Sequence, residues 1–184
     1  MEPSEPRQKS NENPMLKPKI AKVVVNASIG KSGEPLEKAM KIIEELTGQK
    51  PCTKRAKKTL REFGIRKKEP MACVVTLRGK RAHEFLTKSL RAVDNRIPRQ
   101  SFDKQGNFSF GIKEHIDIPG TKYSPDLGII GMDISVTLER PGYRVKHRHR
   151  ANSKVGSQHL LATDEAVSFL KDQLGVEITL EQPE

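Results

Sequence analysis

The chain is 184 residues long, with a formal net charge of +11 and a pI near 9.7. That length suits one domain with a real core. That charge points to nucleic acid rather than a membrane surface, because no basic amphipathic helix with aromatic anchors is visible. Aromatic residues make up 4% and Trp is absent, which argues against a single-strand binder that works by stacking alone. The two cysteines, Cys52 and Cys73, have no zinc spacing and read as free thiols of a reducing compartment. No signal peptide or membrane span is legible, so a soluble cytoplasmic protein is expected.

Residues 1–14 are rich in Pro, Glu, Ser, Asn and Lys and read as a disordered leader; residues 15–184 read as a single domain. Met15 to Ile20 is expected to be an extended entry, held out of helix by Pro14 and Pro18. Val23, Val24 and Val25 start the first strand, which ends at Asn26-Ala27-Ser28-Ile29-Gly30. Ser32 or Glu34 opens a helix with Pro35 in its first turn. Leu36, Ala39, Met40, Ile43 and Leu46 form its apolar face, and Gly48 stops it.

A basic loop follows at about 50–70. It contains Lys50, Lys54, Arg55, Lys57, Lys58, Arg61, Arg66, Lys67 and Lys68, against the acids Glu62 and Glu69. Such a run is either a solvated surface loop or a phosphate-binding device anchored on folded elements. Next, Cys73, Val75 and Leu77 alternate as the inward face of a strand. A second helix from about Lys80 to Val93 buries Ala82, Phe85, Leu86, Leu90 and Val93. Asp103 to Asn107 is a turn, and Phe108, Phe110 and Ile112 face one way on the strand after it. His115 to Gly131 is a long connection. Met132, Ile134, Val136 and Leu138 mark another strand.

A second basic loop at about 140–157 holds Arg144, Lys146, Arg148 and Arg150. Thr163 is expected to cap the last helix, with Ala166, Val167, Leu170 and Leu174 inward, and Val176 to Leu180 to add an edge strand. The architecture is therefore α+β, a mostly antiparallel sheet with helices on one face. Thr76, Arg78, Ser109, Lys113, Ser135 and Thr137 gather on the other face, an open polar platform between two basic loops.

Catalytic chemistry is hard to find. Asp117, Asp126, Asp133 and Glu139 are the acids that a metal-dependent RNA-processing enzyme would use, but they form no compact cluster in sequence. No phosphate-binding Gly-rich loop or nucleophile elbow is present. His147 and His149 sit among cations that would repel a metal ion, and His83, His115 and His159 have no visible partner. No cofactor is expected. Phe63 either stacks on an unstacked base or packs beneath its loop. Tyr143, between Gly142 and Arg144, stays ambiguous. A module that captures an acidic protein is a third reading, resting on charge alone.

GQKPCTKRAKKTLREFGIRKKEPMACVVTLRG (Gly48 to Gly79), SFDKQGNFSFGIKEHIDIPG (Ser101 to Gly120) and GMDISVTLERPGYRVK (Gly131 to Lys146) resemble the universal large-subunit ribosomal protein L-five family. The resemblance covers roughly residues 13 to 180. Val93 to Arg96 and the RPGYRVK segment resemble its archaeal and eukaryotic branch, and the acidic C-terminal helix favours archaeal. The resemblance implies a non-enzymatic constituent of the large subunit that binds 5S rRNA and anchors it in the central protuberance. It implies 5S rRNA contacts at Asn26, Gln49, Lys50, Phe63, Thr76 and Arg78. Lys57, Lys58, Arg61, Arg66, Lys67 and Lys68 would form a loop facing the peptidyl-site tRNA. Ile118 to Gly128 would lie towards the small-subunit head, and 23S rRNA and neighbouring large-subunit proteins are further implied partners. One departure is Ala27-Ser28, where many relatives have glycines. Residue pattern and resemblance agree on structured RNA; only the resemblance says which RNA.

Overall fold

The computed structural model describes residues 13–121 and 123–179. Most of the leader therefore lies outside the described residues. The entry is not extended throughout. Leu16 N–H donates to Asn13 O at 2.9 Å and Met15 N–H to Asn13 Oδ1 at 3.0 Å, so a turn precedes the first strand. The Asn13 side chain satisfies backbone locally, which the prolines alone did not reveal.

Strand β1 (Lys19–Ser28) is the centre of a five-stranded sheet. Helix α1 (Glu34–Thr47) follows, with Pro35 in its first turn and Gly48 in the left-handed conformation at φ +62° after its last turn. Gly48 N–H donates to Glu44 O at 2.8 Å, satisfying a carbonyl the helix end would otherwise leave free. The chain then forms a short edge strand, β2 (Cys52–Arg55), that alternation did not reveal because all four side chains are exposed. The expected basic loop is thus a strand plus a hairpin tip. β3 (Pro70–Leu77) returns beside it, with Cys73, Val75 and Leu77 buried as expected.

Helix α2 (Gly79–Arg91) buries Ala82, Phe85, Leu86, Ser89 and Leu90. It stops before Val93, where Asp94 and Asn95 take positive φ of 53° and 55°. Strand β4 (Arg96–Pro98) is a further element the pattern missed. β5 (Phe108–Ile112) and β6 (Met132–Glu139) alternate as expected. The second basic loop is partly helical: α3 spans Arg144–His147. Helix α4 (Thr163–Leu174) buries Ala166 and Leu170. Its N-cap is Ala162, not Thr163. Glu165 accepts the Ala162 N–H at 3.2 Å, while the Thr163 hydroxyl turns to the Asp103 carbonyl at 3.1 Å. β7 (Glu177–Thr179) does form, but it pairs in parallel with β4 in a separate two-stranded sheet.

The main sheet has the order β2-β3-β1-β6-β5 and every pair is antiparallel. Helices α1 and α2 pack against β3 and β1 and against each other. Val23, Val25, Ala27, Cys73, Val75, Leu77, Ile134, Val136 and Leu138 meet them in one core. Because side chains alternate along each strand, a buried face leaves the other face to polar residues. His115 is buried at 2% exposure. Its backbone N–H donates to Ile130 O at 3.0 Å, and its Nδ1 accepts the Ile130 N–H at 3.3 Å. Burial pulls this imidazole below the usual histidine pKa. A neutral, buried histidine therefore clasps both ends of the 115–130 connection.

Candidate nucleic-acid interface

Cross-strand register builds the open face row by row. One row reads Thr76, Val24, Ser135 and Ser109 across β3, β1, β6 and β5. The next reads Cys52, Val74, Asn26, Asp133 and Gly111 across all five strands. Thr137 lies opposite Lys22, next to a bulge in β1 between Ile20 and Lys22. Arg78 and Lys113 continue past the ends of β3 and β5 and are exposed. The platform expected from alternation is therefore present.

Asn26 and Thr76 sit on neighbouring strands one row apart, within reach of a single bound group. Gln49 joins them. Thr47 donates its hydroxyl to Ile43 O at 2.6 Å and receives the Gln49 N–H at 3.4 Å, which fixes the chain as it leaves α1. The Gln49 amide then donates to Thr76 O at 3.5 Å. Lys50, exposed, follows directly. Gln49 thus lies against the end of β3, where Arg78 follows Thr76 by two residues, and Asn26 stands one row further in, opposite Val74.

Phe63 stands apart from these residues. It occupies the turn of the β2–β3 hairpin, six strand residues and a further tip away from Thr76, about 20 Å along β3 alone. The tip is closed by paired bonds between Leu60 and Ile65 of 2.9 and 3.0 Å, with Gly64 at φ +67° turning the chain. Phe63 is 71% exposed, so it does not pack beneath its loop. Around it lie Lys57, Lys58, Arg61, Arg66, Lys67 and Lys68, all exposed and none in a salt bridge among the described residues. The geometry therefore joins Phe63 to the tip cations.

Sequence reasoning missed the tether of this hairpin. Glu69 accepts the Ser32 hydroxyl at 2.6 Å and the Arg66 N–H at 2.9 Å. The Ser32 bond, then the Arg66 N–H, hold its carboxyl below the usual glutamate pKa. An acid inside a basic run was the one signal available.

The second basic region is an elbow built on buried anchors. Arg140 is buried and meets Glu165 at 2.6 Å, with the Gln158 and Leu160 carbonyls at 3.5 Å. Tyr143 is buried. Its hydroxyl donates to His159 O at 3.2 Å and accepts the Leu161 N–H at 3.0 Å, which resolves its role as structural. His159, far from partnerless, donates Nε2–H to Pro141 O at 2.8 Å. Arg148 spends its Nε–H on Ala151 O at 2.7 Å, and His147 lies 3.3 Å from Glu139. Arg144, Lys146 and Arg150 remain exposed with no ion pair among the described residues. The hairpin projects from the Ser28–Ala72 end of the sheet and the elbow from the Lys19–Glu139 end. The two basic regions thus bracket the polar face.

Among the described residues no group of three or more His, Cys, Asp or Glu is arranged to hold a metal, and no helix is long and apolar enough to cross a membrane. Asp133 and Glu139 stand at opposite ends of β6.

Two family models cover most of the chain. One described as Ribosomal protein L5 matches residues 13–66, and one for the C-terminus of the same ribosomal family matches residues 70–172. Their junction falls in the hairpin, yet strands from both segments share one sheet. The chain is 51% identical to the large ribosomal subunit protein uL5 of Sulfurisphaera tokodaii, over 90% of this chain and 94% of that one. It is 51% identical to the protein of that name from Pyrobaculum aerophilum, over 90% and 93%. With that of Methanosphaera stadtmanae the identity is 48%, over 90% and 99%. The chain belongs to the ribosomal protein L5 family, in its archaeal form, and is a structural, non-enzymatic component of the large subunit of the cytoplasmic ribosome.

Proposed function

We propose that this protein holds 5S rRNA in the central protuberance on its open sheet face, while its hairpin tip reaches the peptidyl-site tRNA. The observation that carries this reading is the uncovered polar face on which Asn26 and Thr76 stand one row apart, with Gln49 bonded to Thr76 O and the exposed Lys50 and Arg78 following in the chain. Polar groups there fit the shape and hydroxyls of folded RNA, and the cations bind phosphates. Lys57, Lys58, Arg61, Arg66, Lys67 and Lys68 supply the tip's attraction for tRNA, and Phe63 stacks on an unpaired base. The elbow, through Arg144, Lys146 and Arg150, docks a second element of the subunit, 23S rRNA or a neighbouring protein, while Arg148, bonded to Ala151 O, holds its turn. The 118–128 connection faces the small-subunit head. Family membership replaces the alternative of a metal-dependent RNA-processing enzyme.

The test is a titration against cognate 5S rRNA at two salt concentrations, with tRNA and a random duplex as competitors. Tight binding that survives both competitors is expected, with a logarithmic salt slope of about −5 or steeper. Gln49→Ala and Thr76→Ala should each cost about 1 kcal/mol of affinity. Displacement by any duplex would reduce the protein to a generic polycation.

A further inference from the structure

A carboxylate stands where an RNA-binding face should avoid one. Asp133 is exposed on the open face, between Asn26 of β1 and Gly111 of β5 in the same cross-strand row. Neither the Asp133 nor the Asn26 side chain has a hydrogen-bond or ion-pair partner among the described residues. The Asp133 carboxylate leans over Gly111: a Cβ built on that glycine would lie 3.5 Å from Oδ1. The glycine therefore leaves room above the sheet next to the acid. An open cleft of about 900 Å³ begins here, walled on one side by Asn26, Gly111, Lys113 and Asp133 and on the other by the start of α1 and the apolar segment just before β6.

A carboxylate only accepts hydrogen bonds and repels phosphate. On RNA, its natural counterparts are base amino and imino groups and the 2′-hydroxyl. The wide, shallow minor groove of A-form RNA displays the guanine N2 amino group beside 2′-hydroxyls. The residues around Asp133 on this face, Ser109, Gly111 and Ser135, are small and let that groove come close. The Asn26 amide adds a donor beside the acceptor. Lys113 at the rim suits a flanking phosphate, whereas Lys38 is already 2.8 Å from Glu34.

We infer that Asp133, with Asn26, is a specificity-determining pair that reads the amino edge of guanine in the bound RNA. This rests on the 5S rRNA reading of the face. It gives the face a means of rejecting RNA that offers no amino group at that place, because the carboxylate would be desolvated without a donor.

The test is analogue interference. 5S rRNA carrying sparse phosphorothioate-tagged inosine, which lacks the N2 amino group, is selected by the wild-type protein and by Asp133→Ala. Wild type should show interference at one or two guanosines, and Asp133→Ala should show none there. Asp133→Ala should also bind unmodified 5S rRNA about tenfold more weakly, with an unchanged melting temperature. The same interference pattern in both proteins would overturn the inference and leave 5S binding standing. A defect of Asp133→Ala seen only with magnesium present would also overturn it, since a metal bridge to phosphate would then explain the acid. Failure of the wild type to bind 5S rRNA would remove the underlying reading and this inference with it.

Discussion

The two basic regions look alike in sequence and are built differently. The hairpin tip (residues 56–69) offers every cation to solvent and carries Phe63 on its turn. It is held by backbone pairing and by Glu69, which bridges to Ser32. The elbow (residues 140–159) spends part of its charge on itself. Arg140 is buried against Glu165, Arg148 bonds Ala151 O, and His147 lies against Glu139. A cation in a basic run is therefore either ligand-facing or structural, and its depth and its acceptors decide which.

The comparison breaks most readily at Arg140. Arg140→Ala should destabilise the fold by about 2–3 kcal/mol, because it strands Glu165 and two carbonyls. Glu165 is about half exposed, which keeps the loss below that of a fully buried pair. Urea denaturation measures it, and a loss under about 0.5 kcal/mol would make Arg140 a surface cation like those of the tip. Phe63→Ala should do the reverse. Stability should change by less than about 0.5 kcal/mol, whereas affinity for the bound RNA should fall by about 1–2 kcal/mol. A stability loss without an affinity loss would return Phe63 to a packing role.

Arg66→Ala, Lys67→Ala and Lys68→Ala combined should lower the salt slope for tRNA contact by about two and leave most 5S rRNA affinity intact. Collapse of 5S affinity would show that tip and sheet face act as one site. The smallest effect concerns the tether. The pKa of Glu69 is lowered in the folded protein, so its contribution is present above the ordinary glutamate value of 4.5 and is lost as pH falls through the lower folded value. The Arg66 amide should follow that titration by NMR, and Glu69→Gln should abolish it. An Arg66 amide that ignores pH in this range would mean the tether is not formed in solution.

Much of this was legible in the residues. Period-two alternation placed β3, β5 and β6, and helical spacing with Gly48 placed α1. Alternation also put Ser135 and Thr137 on the open face. β2 was illegible because an edge strand with no buried side chain carries no alternation. β4 was too short to mark itself, and its parallel pairing with β7, the strand expected at the C-terminal end, joins segments far apart in sequence. The N-cap moved to Ala162 because Glu165 reaches back to its N–H, a contact that outweighed the better capping chemistry of Thr163.

The amino-acid sequence by itself determined the charge, the inward face of each long strand and the family, since these depend on residue type and on spacing along the chain. Tertiary structure alone decided that Gln49 meets Thr76, that Asn26 and Asp133 share a row, that Phe63 stands apart from both, and that Arg140, Tyr143 and His159 serve the scaffold. Those are facts of strand register and burial. They arise when segments dozens of residues apart are brought into one sheet, and no local pattern specifies them.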